Sequence, residues 1–213
     1  MECGQYFIEF DKTRFPLIRR SDWNWSISLF PVSKYQFERF LAENKPQGNL
    51  YTDKWYRELL QLNPRRAWKK CNENHWELFI TGVSFDEIKP FLRYLGKDFR
   101  LPKANEWKAL LEVSREIHGM KSELKRFCQA NSAPPVNLWL EKGLFPLVEE
   151  GLLELVVSDN LVVSNNQVCC LGKPYQGLWP NTWKPEEEKI INWELGRKAV
   201  GFRVVKERIL CGS

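Results

Sequence analysis

What this chain lacks narrows its identity before anything it contains. Among its 213 residues there is no run of 18 or more apolar positions, so no membrane-spanning helix is expected. Histidine is nearly missing, with His75 and His118 the only two, and the six cysteines contain no Cys-x-x-Cys spacing; no local motif therefore builds a zinc or non-haem iron site. Those cysteines, Cys3, Cys71, Cys128, Cys169, Cys170 and Cys211, are scattered through a chain large enough to fold without disulfides, which fits a reducing cytoplasm. The absence of a Gly-x-Ser-x-Gly elbow and of a glycine-rich phosphate loop sets aside the common hydrolase and phosphate-loop layouts. Glu9, Asp11, Lys12 and Arg14 break the start of the chain before a signal-peptide core forms, so it reads as soluble and unprocessed. No Gly/Ser linker or low-complexity stretch separates two halves, and residues 1–213 read as a single domain.

What is present is an ordinary globular composition, 43% hydrophobic and 28% charged, which excludes a disordered or fibrous chain. The formal charge of +5 is mild for this length and does not by itself mark a nucleic-acid domain. Its local excess sits at Arg65, Arg66, Lys69 and Lys70 around Trp68. Four cations beside an indole suit a phosphate backbone and a stacked base; the alternative is a solvated helix end with Trp68 in the core.

Local grammar gives the elements. Tyr6 to Phe10 and Trp25 to Leu29 read as strands. Ser33 and Gln36 form a capping box, with Val32 and Phe37 as its hydrophobic staple, and Phe37, Phe40 and Leu41 fall on one helical stripe. Ser84 and Glu87 repeat that box ahead of Ile88, Phe91, Leu92 and Leu95, with Gly96 as the stop and Pro90 expected to kink the helix or shorten its first turn. A further helix is expected over 53–70, and another from about Ala104 through Trp107, Leu110 and Val113. Pro134 and Pro135 read as a loop, followed by short apolar runs at 152–157, 161–163, 168–171 and 202–205. Helices gathered early and strands late argue for an α+β arrangement.

Several of these blocks together resemble the formylglycine-generating-enzyme (sulfatase-modifying factor) family. They are Gly82-Val83-Ser84-Phe85-Asp86-Glu87, then Arg100-Leu101-Pro102 with Glu106-Trp107, then Glu154 to Asp159, and finally Gly201-Phe202-Arg203-Val204-Val205, over about residues 25 to 206. The resemblance implies a C-type-lectin-like fold, with helices flanking a small twisted antiparallel sheet. It also implies what has changed. The catalytic members carry a copper-binding cysteine pair near the closing strand, whereas Cys169 and Cys170 are adjacent here, and the iron-dependent relatives need a histidine triad. The family's calcium-binding Asn aligns with Gly151, and the cap residue of the Trp107 helix is Lys103 rather than Thr. The resemblance thus implies a scaffold that kept its shape and dropped its chemistry, with no metal and no cofactor.

The expected working surface is the segment from Ser164 to Trp193. Asn165, Asn166, Tyr175, Trp179, Trp183 and Trp193 offer indoles and amides suited to protein recognition, or alternatively fill the core. By resemblance, such degenerate members act as cytoplasmic binding or adaptor modules in bacterial defence or CRISPR-linked systems, or as variable ligand-binding proteins of diversity-generating retroelements. The rival reading is an enzyme using Cys169 or Cys170 as nucleophile or metal ligand. A nucleic-acid partner through Arg65, Arg66, Lys69 and Lys70 comes third. Glu186, Glu187 and Glu188 read as a solvated turn.

Overall fold

A computed structural model describes residues 2–3, 6–44, 52–62, 78–116, 121–141, 150–158, 166–174 and 183–208. The fold is mixed α+β. Four strands come first, β1 (Glu2–Cys3), β2 (Tyr6–Phe10), β3 (Pro16–Arg20) and β4 (Trp25–Ser28). The helices α1 (Lys34–Asn44), α2 (Asp53–Leu62), α3 (Phe85–Leu95), α4 (Ala104–Glu116), α5 (Lys121–Asn131) and α6 (Pro134–Glu141) follow, with the short β5 (Phe99–Arg100) between α3 and α4. The chain closes with β6 (Glu150–Leu155), β7 (Gln167–Pro174), β8 (Lys189–Asn192), the single turn α7 (Trp193–Gly196), β9 (Val200–Phe202) and β10 (Val205–Glu207). Strands thus occupy both ends of the sequence rather than its second half alone.

These strands form two sheets where one small antiparallel sheet was expected. The larger has the order β1-β2-β3-β4-β10-β5 with every neighbouring pair antiparallel. The smaller has the order β8-β7-β6-β9 and is mixed, because β9 lies parallel to β6. Its direction follows from the path of the chain, which turns through α7 and a 3-10 turn at Arg197–Ala199 before re-entering beside β6. The residues between β9 and β10, Arg203 and Val204, carry the chain from one sheet to the other.

Helix starts follow the local grammar. Ser33 N–H donates to Gln36 Oε1 at 3.0 Å and Gln36 N–H to Ser33 Oγ at 3.1 Å, completing the first capping box. At the second, Ser84 N–H donates to Glu87 Oε2 at 2.6 Å. Helix α3 is continuous through Pro90 and stops at Gly96, whose φ of 154° is a conformation that side-chain-bearing residues rarely adopt. Lys103 offers α4 no side-chain acceptor, yet the other half of a capping box survives, with Lys103 N–H donating to Glu106 Oε2 at 2.7 Å. Pro134, read as loop, instead opens α6, where its fixed φ and missing N–H cost nothing at a first helical position. Helix α2 ends at Leu62; the rest of the 53–70 expectation and the 161–163 run lie outside the described residues.

Both faces of the large sheet are covered. Ile18, Ile27 and Val205 pack with Leu110, Val113, Val136 and Trp139 of α4 and α6. Leu17, on the opposite face, joins Phe37, Phe40, Phe91, Leu153 and Phe202, which ties α1 and α3 to the small sheet. A third cluster of Ala104, Trp107, Val156, Cys169 and Leu171 seats α4 on β7. Gly201 marks where these layers meet most closely: a Cβ there would lie 2.8 Å from Leu152 Cδ2 and 2.9 Å from the carbonyl of Ile80. Gly201→Ala is expected to cost about 1–3 kcal/mol through overpacking, read as a lower urea midpoint at unchanged m-value.

Candidate functional site

The residues that carry the family resemblance converge in space. Arg100 leaves β5 and grips Glu106 in a two-pronged pair, both N···O distances 2.7 Å, while its Nε donates to Glu207 Oε1 of β10 at 2.7 Å. At the next residue of α4, Trp107 Nε1 donates to Glu154 Oε2 at 3.1 Å, and the same oxygen accepts from Arg203 Nε at 2.7 Å. Arg203 also donates through Nη1 to the carbonyls of Ser28 and Leu29, at 3.0 and 2.6 Å. Arg203 is fully buried and Glu154 is 3% exposed, so this pair joins β4, β6, α4 and the β9–β10 link inside the molecule. Glu154 is the carboxylate that the resemblance places near a calcium site. Here Arg203 and Trp107 occupy it. Asp159 lies outside the described residues.

The adjacent thiols of β7 face opposite ways, as strand alternation requires. Cys169 joins the cluster beneath α4 and Cys170 the cluster beneath α3. Burial, reinforced by the neighbouring Glu188 carboxylate, pushes the Cys169 thiol up to about 11. Burial also raises Cys170 well above its ordinary value and lifts Cys128 to about 12. Groups held this way are inert thiols near neutrality, not thiolates.

Stability should depend on pH accordingly. The unfolded thiol has a value of 9.0, so below pH 9 both states keep their protons and the contribution is fully present. As pH rises from about 9 towards 11 the unfolded chain releases protons that the folded chain retains, and stability falls. Urea midpoints at pH 8 and 10.5 should show this loss, and Cys169→Ala combined with Cys128→Ala should reduce it.

Glu188 departs from the solvated turn expected of it. Hydrogen bonds from Ser158 at 2.7 Å and from Lys108 at 3.0 Å hold its carboxyl below the usual range, and Cys169 Sγ approaches it at 3.7 Å. Glu186 and Glu187 remain exposed. The next residue, Lys189, is buried, and its Nζ donates to the carbonyls of Gly172, Lys184 and Glu187 at 3.2, 2.6 and 2.7 Å. Burial lowers its pKa. The same ammonium lies 5.4 Å from the centre of the Trp183 ring, so one cation pins the 184–187 turn and seats that indole.

Of the expected binding residues, Trp183 and Trp193 are half-buried and rest on the core that α1 and α3 share with the small sheet. Asn166 is exposed, and its carbonyl accepts from Trp193 N–H at 2.8 Å, which brings the start of β7 to the end of β8. Asn165, Tyr175 and Trp179 lie outside the described residues, as do Arg65, Arg66, Lys69 and Lys70. The sequence reading missed Leu195, which is 84% exposed on α7, and Ile190, outward-facing on β8 at 43%. Nothing in their local pattern distinguishes them from core positions.

Among the described residues no three His, Cys, Asp or Glu side chains gather as a metal site, and no helix is long and apolar enough to cross a membrane. No family model matches the chain, and no curated protein matches it.

Proposed function

We propose that this chain is a catalytically silent protein-binding module on a C-type-lectin-like scaffold of the formylglycine-generating-enzyme type. The observation that carries this reading is the fate of the motif residues. Arg100, Glu106, Trp107, Glu154 and Arg203 are all committed to internal ion pairs and hydrogen bonds, and Cys169 and Cys170 are buried as protonated thiols. What such a scaffold offers a partner is surface. Its best-defined part is the segment from Trp183 to Leu195, which carries two half-buried indoles, exposed Ile190 on the outermost strand of the small sheet and exposed Leu195 on α7 just after it. A cytoplasmic setting in a bacterial defence or CRISPR-linked system belongs to the same proposal.

The test is co-expression of the full chain with the proteins encoded beside it. A stoichiometric complex is expected, with binding weakened at least tenfold by Leu195→Glu at unchanged melting temperature. Binding that ignores Leu195→Glu and Trp193→Ala would remove this surface from the proposal. Stoichiometric copper or iron in the purified protein, or a Cys169 that alkylates at neutral pH as fast as a free thiol, would replace it with an enzymatic reading.

A further inference from the structure

A second feature lies on the other sheet and is independent of the indole segment. Between β4, β10 and the first turns of α4 is a cleft of about 460 Å³, lined by Asn24, Trp25, Arg100, Lys103, Asn105, Glu106, Ala109, Glu207 and Arg208. Its volume falls in the range of roughly 300–1,000 Å³ usual for small-molecule sites. Polar and charged groups dominate the lining, which disfavours an apolar ligand.

The charges do not cancel. Both carboxylates, Glu106 and Glu207, are held by Arg100. Among the described residues Lys103 and Arg208 have no such side-chain partner, and both are exposed. Counted over the whole lining, the three cations Arg100, Lys103 and Arg208 face the two carboxylates Glu106 and Glu207, which leaves a net charge of +1 with Lys103 and Arg208 as the cations whose side chains are free to meet a ligand. A phosphate monoester, carrying about −1.5 to −2 at neutral pH, has the sign that this excess attracts and the oxygens that two free cations can hold. The indole of Trp25 stacks on Trp23 at 4.0 Å with 17° between planes, so the ring is braced from behind while it lines the cleft. A braced indole is a platform for a flat ring. Asn24 and Asn105, both exposed at the cleft, supply side-chain amides whose paired donor and acceptor match the edge of a nucleobase. Asn24 is itself tied to the far wall, its carbonyl accepting from Arg208 N–H at 2.9 Å.

We infer that this cleft binds a nucleoside phosphate, its phosphate between Lys103 and Arg208 and its base against Trp25. Side chains here replace the glycine-rich loop that the sequence does not contain. A smaller cleft of about 280 Å³ adjoins it through the shared Glu207 and Arg208, and there Arg19 stacks over Phe7 at 4.1 Å while Lys206 holds Glu9. That continuation leaves room for the nucleoside phosphate to be either free or one unit of a single strand.

Calorimetric titration of the full chain distinguishes these sources. The probes are adenosine 5′-monophosphate, adenosine, O-phosphotyrosine and a single-stranded dA decamer. Adenosine monophosphate is expected to bind at least tenfold more tightly than adenosine. The double variant Lys103→Ser, Arg208→Ser should weaken it at least tenfold at unchanged melting temperature, as should raising the salt from 50 to 500 mM. Trp25→Leu should weaken both the nucleotide and adenosine. Tighter binding of the decamer than of the mononucleotide, lost in the same double variant, assigns the site to a strand, and the reverse order assigns it to a free nucleotide. No binding of either at 5 mM, binding indifferent to the double variant, or tighter binding of O-phosphotyrosine would overturn the inference. None of these outcomes touches the complex tested through Leu195.

Discussion

Replacing Glu154 by Ala should unfold this protein more easily than any exposed substitution, by about 3–5 kcal/mol, because Arg203 would be left as a buried cation without its carboxylate. Trp107 Nε1 loses its acceptor in the same step. For a chain of this size the change corresponds to a melting temperature lower by about 10 °C. Arg203→Met should cost a similar amount, since it strands Glu154 and releases the carbonyls of Ser28 and Leu29. The double variant Glu154→Leu, Arg203→Met is expected to be far less unstable than the sum of the single changes, because two apolar groups of similar size need no partner. Calorimetry on the four proteins measures the coupling. A single-variant loss below about 1 kcal/mol would mean that the pair is solvated and contributes as a surface pair does.

The second large effect is expected at Asp11, in the connection between β2 and β3. Its Oδ1 accepts from Thr13 N–H at 2.7 Å, Thr13 Oγ1 at 2.6 Å and Phe15 N–H at 3.0 Å, and its Oδ2 accepts from Gln36 Nε2 at 3.0 Å. The carboxylate thus fastens the β2–β3 turn to the first turn of α1. Asp11→Ala leaves these buried donors unmet and should cost about 3 kcal/mol or more. Asp11→Asn separates charge from geometry. Its Oδ1 can keep three of the bonds, but its amide would face the Gln36 amide, whose oxygen is already held by Ser33. A loss of about 1–2 kcal/mol is expected from that one mismatch. The pH dependence should differ as well. Burial raises the Asp11 pKa above 3.8, so its contribution is greatest below that value and declines as pH rises through the folded pKa. Urea titrations at pH 4 and pH 7 should show this component in the parent and not in Asp11→Asn.

Much of the architecture was legible because local rules and tertiary packing agree. The two capping boxes, the Phe37 and Phe91 stripes and the alternation from Trp25 placed α1, α3 and β4 correctly. Where they disagree, the sequence misled. Pro134 looks like a loop residue until its role as a helix opener is seen in α6, and Glu188 looks solvated until Lys108 and Ser158 arrive from distant elements. The uses of Glu154 and Arg203 were illegible for the same reason, since a carboxylate and a guanidinium 49 positions apart carry no local sign that they will meet. The cleft beside Trp25 could not be read either. Its walls come from β4, β5, α4 and β10, and only the sheet order brings them together.

That order constrains biosynthesis. Strand β10 is inserted between β4 and β5, and β9 lies alongside β6, so both sheets are finished by residues 200–207. A ribosome that has released only the first 199 residues has delivered nearly every core side chain but not the strands that join them, and the pairing edges of β4 and β6 stay open meanwhile. Chaperone engagement late in translation, and rapid proteolysis of chains stopped short of Val200, follow from the position of two three-residue strands.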